Sequence, residues 1–211
     1  MSLEVPYIPS LDSTATGKAI RSVFSMIEAH AIASLNWKEY YYVPKVSFKI
    51  AYTDESILLY YEVFEKHIRA AYLHNNEPVY RDSCVEFFIS FDGSNYYNFE
   101  FNCIGTMLSA YGSQIMEKRQ LASQDRIGSI YRDTNIHATP NGVQWDLVAN
   151  IPFSVFKEDS INSLKARECL ANFYKCGDDL PIPHFLSWAP IDHPKPNFHL
   201  PAFFGKLHFT S

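Results

Sequence analysis

Val79-Tyr80-Arg81-Asp82-Ser83-Cys84-Val85-Glu86-Phe87-Phe88-Ile89-Ser90-Phe91 is the stretch on which the fold turns. From Ser83 onward the side chains alternate, so that in a strand Val85, Phe87, Ile89 and Phe91 point to one side and Cys84, Glu86, Phe88 and Ser90 to the other. The first set reads as core. The second carries a carboxylate, and an aromatic ring, Tyr80, sits six residues before it in the lead-in loop. A carboxylate on a rigid strand beside a ring on a loop suits recognition of a small polar ligand. An ordinary strand whose Glu86 faces water would show the same spacing.

The next segment repeats the pattern. Asp92-Gly93-Ser94-Asn95 is a turn signal. Beyond it Tyr97, Phe99, Phe101 and Cys103 alternate with Asn98, Glu100 and Asn102. Antiparallel pairing of the two strands places Glu86 on the same face as this polar row, as a hydrogen-bonding platform or as a solvated sheet face.

Upstream, Val46, Phe48, Ile50 and Tyr52 alternate with Ser47, Lys49 and Ala51, and a second run over 57–65 completes a hairpin. Before that, Ile20, Val23, Phe24 and Ile27 recur at helical spacing, predicting a helix over 18–28 with Thr16 as N-cap. Residues 29–35 fit either more helix or a first strand. The prolines in Glu4-Val5-Pro6-Tyr7-Ile8-Pro9 predict an extended segment along the surface.

Downstream, residues 113–132 read as a polar connection with room for a short helix. Asn141-Gly142 turns into a strand over 143–151, and further strands are expected over 169–176 and 205–209. Between these last two, prolines bracket Phe185-Leu186-Ser187-Trp188; the interleaved aromatics predict an ordered loop rather than a linker.

Seven or more short strands without a βαβ rhythm predict an all-β antiparallel β-sandwich, of immunoglobulin-like or jelly-roll type, with an N-terminal helical extension over 1–40. A chain of 211 residues suits a single domain over 1–211. The aromatic fraction of 16% supplies both strand formers and flat contact surfaces. Net charge is −5 with no basic cluster, which argues against nucleic acid. No apolar run of membrane-spanning length and no signal peptide is present, so a soluble protein is expected, of unassigned compartment. Cys84, Cys103, Cys169 and Cys176 form no CxxC pair, indicating neither a disulfide framework nor a zinc site.

Catalytic motifs are missing: there is no nucleophile elbow, GxGxxG, P-loop or HExxH. Glycoside hydrolysis needs two carboxylates about 5–10 Å apart, a distance open to Glu86 and Glu100 on neighbouring strands. The eight histidines are scattered, and His193, His199 and His208 lack short ligand spacing. No cofactor is expected, with a structural calcium around Asp92 or Asp178-Asp179 left open.

The run from Asp82 to Ile89, the later Tyr96-Tyr97-Asn98-Phe99-Glu100-Phe101-Asn102, and Ser187-Trp188 followed by Phe204-Gly205-Lys206-Leu207 together resemble a family 9 carbohydrate-binding module, from about Val46 to the C-terminus. The resemblance implies a β-sandwich that grips a sugar between two tryptophan rings and hydrogen-bonds it through a strand carboxylate, an arginine and amides. Such modules are usually fused to xylanases or other glycoside hydrolases. Carried over by motif, the carboxylate is Glu86, the first ring Tyr80 and the second Phe198. Neither ring is Trp here. The arginine's place falls on Glu100, reversing the charge, and the amide position falls around Lys195 with Asn197 beside it. With Asn102 from the polar row, these make up the expected site. The expected ligand is a mono- or oligosaccharide and the expected partner a separate glycoside hydrolase, with no membrane contact. The alternative is a hydrolase that uses Glu86 and Glu100 itself.

Overall fold

In a computed structural model describing Met1–Ser211, the period-two runs pair as their alternation demands. The strands are β1 (Ser2–Val5), β2 (His30–Ala31), β3 (Ser34–Leu35), β4 (Lys45–Tyr52), β5 (Ser56–Glu65), β6 (Cys84–Ser90), β7 (Tyr96–Asn102), β8 (Met107–Gly112), β9 (Gln120–Leu121), β10 (Tyr131–Thr139), β11 (Gly142–Pro152), β12 (Glu168–Cys176), β13 (Phe185–Ser187) and β14 (Gly205–Phe209). Two helices, α1 (Gly17–Phe24) and α2 (Gln124–Gly128), complete the chain. One sheet runs β1-β14-β12-β6-β7-β8-β9, with β13 on β12 and β3 on β13; the other runs β10-β11-β5-β4-β2. All pairings are antiparallel except that of β1 with β14.

The sheets face each other across one apolar core. Val85, Phe87 and Ile89 of β6 and Tyr97, Phe99 and Phe101 of β7 meet Phe48 and Ile50 of β4 and Leu147 of β11 there. Phe48 stacks on Phe173 of β12 with ring centres 3.6 Å apart, tying one sheet to the other. A polar bridge crosses the same interior. Lys175 of β12 and Glu65 of β5 are both fully buried and form an ion pair at 3.0 Å, at an angle poor for a hydrogen bond. Trp145 Nε1 donates to the other Glu65 oxygen at 2.7 Å. Lys175 Nζ also donates to His184 Nε2 at 2.9 Å, which leaves Nδ1 to donate to the Ile182 carbonyl. Burial first, and the Lys175 charge second, push His184 down to about 3, so the imidazole is neutral.

Each sheet is covered on its outer face as well. Ile20 and Phe24 of α1 pack on Ala51, Leu58 and Val148. Arg21 anchors the helix by bridging Asp133 of β10 and Asp146 of β11. The helix is shorter than its sequence periodicity suggests, ending at Phe24, and the short strands β2 and β3 lie within residues 29–35. Thr16 occupies the N-cap position with an extended backbone but makes no capping bond; the Tyr131 hydroxyl instead accepts from Gly17 N at 3.0 Å.

One further expectation is corrected. The N-terminal segment does not simply lie along the surface: β1 adds to β14, burying Leu3 and Val5 in the core. The strands β8 and β10 were not expected. β10 is an edge strand with no fully buried residue, so its polar Arg132-Asp133-Thr134-Asn135 carries no alternation to read.

Candidate functional site

Glu86 and Glu100 stand directly opposite each other in the β6–β7 register, on the face turned away from the sandwich core. β12 extends this face on the other side of β6, setting Tyr174 beside Glu86 and Cys176 beside Cys84. The face is not solvated. Trp37, Val79, Ile191 and Phe198 close over Cys84, Phe88, Tyr96, Tyr174 and Cys176 as a second apolar cluster. Much of this cover is the proline-bracketed segment after β13. It is held down by Trp37 Nε1 donating to the His193 carbonyl at 2.7 Å and by Ile191 N donating to Asn36 Oδ1 at 2.9 Å. The segment is therefore ordered, as its aromatics predict.

The cover is incomplete, leaving a cleft of about 520 Å³ over the two carboxylates. That size suits a small organic ligand. Tyr80 lines one side from a 3-10 turn, Val79–Arg81, whose Val79 is fully buried as the turn's anchor. The turn is tied back to the residues that follow β12 by Asp178 N donating to the Tyr80 carbonyl at 3.4 Å. Phe198 lines the cleft while stacked on Tyr174, 4.2 Å between centres and 9° from parallel. Its carbonyl accepts from the Tyr174 hydroxyl at 3.1 Å. Phe185 of β13 is a third lining ring, edge-on to Phe198 at 6.3 Å.

A cation comes from the connection between β8 and β9. Arg119 lies over the Tyr96 ring at 3.9 Å and donates to Asn98 Oδ1 at 2.5 Å. It also donates to the carbonyls of Tyr96, Gly112 and Ser113. Next to it, His199 Nδ1 bonds the Tyr96 hydroxyl at 2.8 Å. Burial, then the Arg119 charge, hold His199 down at about 3, so it is a neutral hydrogen-bonding group.

The carboxylates are loosely satisfied. Glu86 receives the Cys176 thiol at 3.0 Å, and Glu100 Oε1 receives Asn98 Nδ2 at 2.9 Å. Glu100 Oε2 is buried with no hydrogen-bond partner. Burial, then the neighbouring Glu100 charge, raise Glu86 well above the ordinary carboxylate range. Burial likewise pushes Glu100 up to about 7 despite the favourable Asn98 bond and Arg119 charge. Two adjacent buried carboxyls resist ionising together, so the pair retains a proton near neutrality.

Of the residues singled out in the sequence, Tyr80, Glu86, Glu100, Asn197 and Phe198 line the cleft. Asn102 and Lys195 do not. The Asn102 amide is occupied by the Tyr72 carbonyl and by Asp82, the buried carboxylate that gathers Arg69, Ala71 and Tyr72 at the base of β6. Sequence reasoning missed Arg119, Phe185 and His199. Asp178, considered only for a structural calcium, also lines the cleft. Arg119 sits in a connection, and Phe185 in a three-residue strand, whose path over the sheet no local pattern announces.

All four cysteines are free and buried. The ligand atoms of Cys84, Glu86 and Cys176 lie within 4.8 Å of one another. Burial pushes the Cys84 thiol up to about 12 and raises Cys176 too, so neither is a thiolate at neutral pH. Asp92 is committed to its own turn, accepting from Ser94 N and Asn95 N at 2.7 and 2.8 Å.

The sequence profile of carbohydrate-binding family 9 matches residues 19–209. The chain belongs to carbohydrate-binding family 9. A family 9 fold is also what solved structures resemble. A Bacteroides uniformis ATCC 8492 protein proposed to bind carbohydrate is 43% identical, with a TM-score of 0.91 over 99% of this chain and 98% of its own. A family 9 module from Caldicellulosiruptor kristjanssonii in complex with glucose is 14% identical, with a TM-score of 0.66 over 100% of this chain and 96% of its own. The same organism's module in complex with cellotriose gives 14%, 0.65, 100% and 94%. No curated protein matches. At 14% identity the last two speak for the sandwich fold alone.

Proposed function

We propose that the cleft over Glu86 and Glu100 binds a mono- or oligosaccharide without transforming it. The observation that carries this is the meeting, in one cleft of a family 9 chain, of ring faces with buried hydrogen-bonding groups. A pyranose presents both an apolar C–H face and a belt of hydroxyls. Tyr80, Phe185 and Phe198 offer surface to the first; Glu86, Glu100 and Asn197 offer acceptors and donors to the second. No cofactor is required.

The two carboxylates rise side by side from one sheet face, so they address a ligand from the same side. Glycoside hydrolysis instead places its pair across the scissile bond. A role beside a separate glycoside hydrolase, on xylan or another polysaccharide, follows from the family's usual company.

Calorimetry against glucose, cello-oligosaccharides and xylo-oligosaccharides tests the proposal. Binding in the µM to mM range is expected, as befits a shallow site. It should weaken about tenfold or more in Tyr80→Ala, since a ring face is worth about 1 kcal/mol or more beyond its area. Absence of heat with every glycan, or binding indifferent to both Tyr80→Ala and Phe198→Leu, would sink it. Sugar release that disappears in Glu86→Gln would point to hydrolysis instead.

A further inference from the structure

The cleft is short of positive charge. Glu86, Glu100 and Asp178 all line it, against one guanidinium, Arg119. Neither Glu86, Glu100 nor Asp178 is in an ion pair: the nearby Arg69 and Arg81 turn to Asp179 at 3.7 and 4.0 Å, and Lys175, behind the sheet, is paired with Glu65. Arg119 spends its terminal nitrogens on the Asn98 amide and on the carbonyls of Tyr96, Ala110, Gly112 and Ser113. His199 contributes no charge.

The acceptor that remains is specific. Glu100 is only 3% exposed, lines the cleft, and keeps Oε2 without a donor. A buried carboxyl oxygen in that state is a strong site for a charged donor, whose arrival releases the proton the pair holds, because hydrogen bonds between ionised groups are the strong ones and a low dielectric enhances them.

We propose that the sugar taken by this cleft carries a free, protonated amine, seated between Glu86 and Glu100 with the pyranose face on the aromatic wall. The proposal rests on the carbohydrate reading above and names its ligand class. An ammonium brings three donors and no acceptor, which matches a floor made of carboxylate oxygens. A neutral hydroxyl brings no charge to draw the shared proton off the paired carboxyls, and an N-acetyl group offers one donor, no charge and added bulk. A calcium ion seeks six to eight oxygens, whereas one oxygen of each glutamate is already engaged by Cys176 or Asn98.

The full chain is titrated calorimetrically at pH 7 with glucosamine, glucose, N-acetylglucosamine and the β-1,4-linked dimers of glucosamine and glucose, and separately with calcium chloride. Glucosamine and its dimer are expected to bind at least tenfold more tightly than their glucose counterparts. In Glu100→Gln and Glu86→Gln the glucosamine affinity should fall further than the glucose affinity, so that the gap closes, with circular dichroism reporting the folded state. Glucose or N-acetylglucosamine binding as tightly as glucosamine overturns the amine assignment and leaves sugar binding standing. Heat from calcium with no preference among the sugars overturns it in favour of a metal. If no sugar binds, both this assignment and the carbohydrate reading fall.

Discussion

Replacing Glu100 by glutamine should make the protein more stable, and only above a certain pH. Burial raises the Glu100 carboxyl from 4.5 to about 7 in the folded chain. The sign follows from linkage: an acid with a raised folded pKa binds its proton more tightly when folded, so stability is full below the unfolded value. It is lost as pH climbs towards the folded value, and the loss saturates above it. At 1.36 kcal/mol per unit, the rise is worth about 3 kcal/mol of destabilisation above pH 7 that is absent near pH 4.5. Glutamine keeps the shape, can accept the Asn98 amide as Oε1 does now, and places an amide donor where Oε2 has no partner. The variant should therefore come close to the parent at pH 4.5 and exceed it by up to about 3 kcal/mol at pH 8. Urea unfolding at five or six pH values between 4.5 and 8.5, analysed as the difference between the two proteins, reads Glu100 together with the relief of Glu86, whose carboxyl the Glu100 charge helps to raise. A difference that stays flat across the range would refute the assignment of Glu100 as a buried, proton-retaining carboxyl.

Other outcomes are equally specific. Lys175→Met strands a buried Glu65 charge between the sheets and should cost about 3–5 kcal/mol in urea; adding Glu65→Gln should restore most of it, and failure to do so would mean that packing rather than charge was lost. Gly205→Ala would drive a Cβ to 2.5 Å from the Trp188 ring, and thermal melting should show a loss of about 1–3 kcal/mol. Arg21→Ala removes the half-buried bridge from α1 to Asp133 and Asp146; a loss of about 1 kcal/mol is expected, shrinking as salt is raised.

The sandwich was legible wherever one side of a strand meets the core and the other does not. Val85, Phe87 and Ile89 against Glu86, and Phe99 and Phe101 against Glu100, set register and facing through their period of two. What alternation cannot say is whether the second face meets water or another part of the chain. That is why Glu86 and Glu100 could be placed beside each other while their burial under residues far along the chain was hidden. β10 was illegible because an edge strand need not bury either face. Arg119 was illegible for a different reason. Its address is a connection fastened to backbone carbonyls, and carbonyls carry no residue code.

Arg119 also bears on how such a site can diverge. The resemblance led to the expectation of a cation at the strand position that Glu100 holds; here a guanidinium reaches the same cleft from the link between β8 and β9. The sheet supplies a permanent acidic floor, while the cation and two of the rings, Phe185 and Phe198, arrive on short or irregular pieces of chain. Those pieces can be rewritten without disturbing the ladders beneath them. Selection for a new sugar would then act on the lining one borrowed segment at a time, and two relatives could share a place in space for a charge while sharing no aligned residue that bears it.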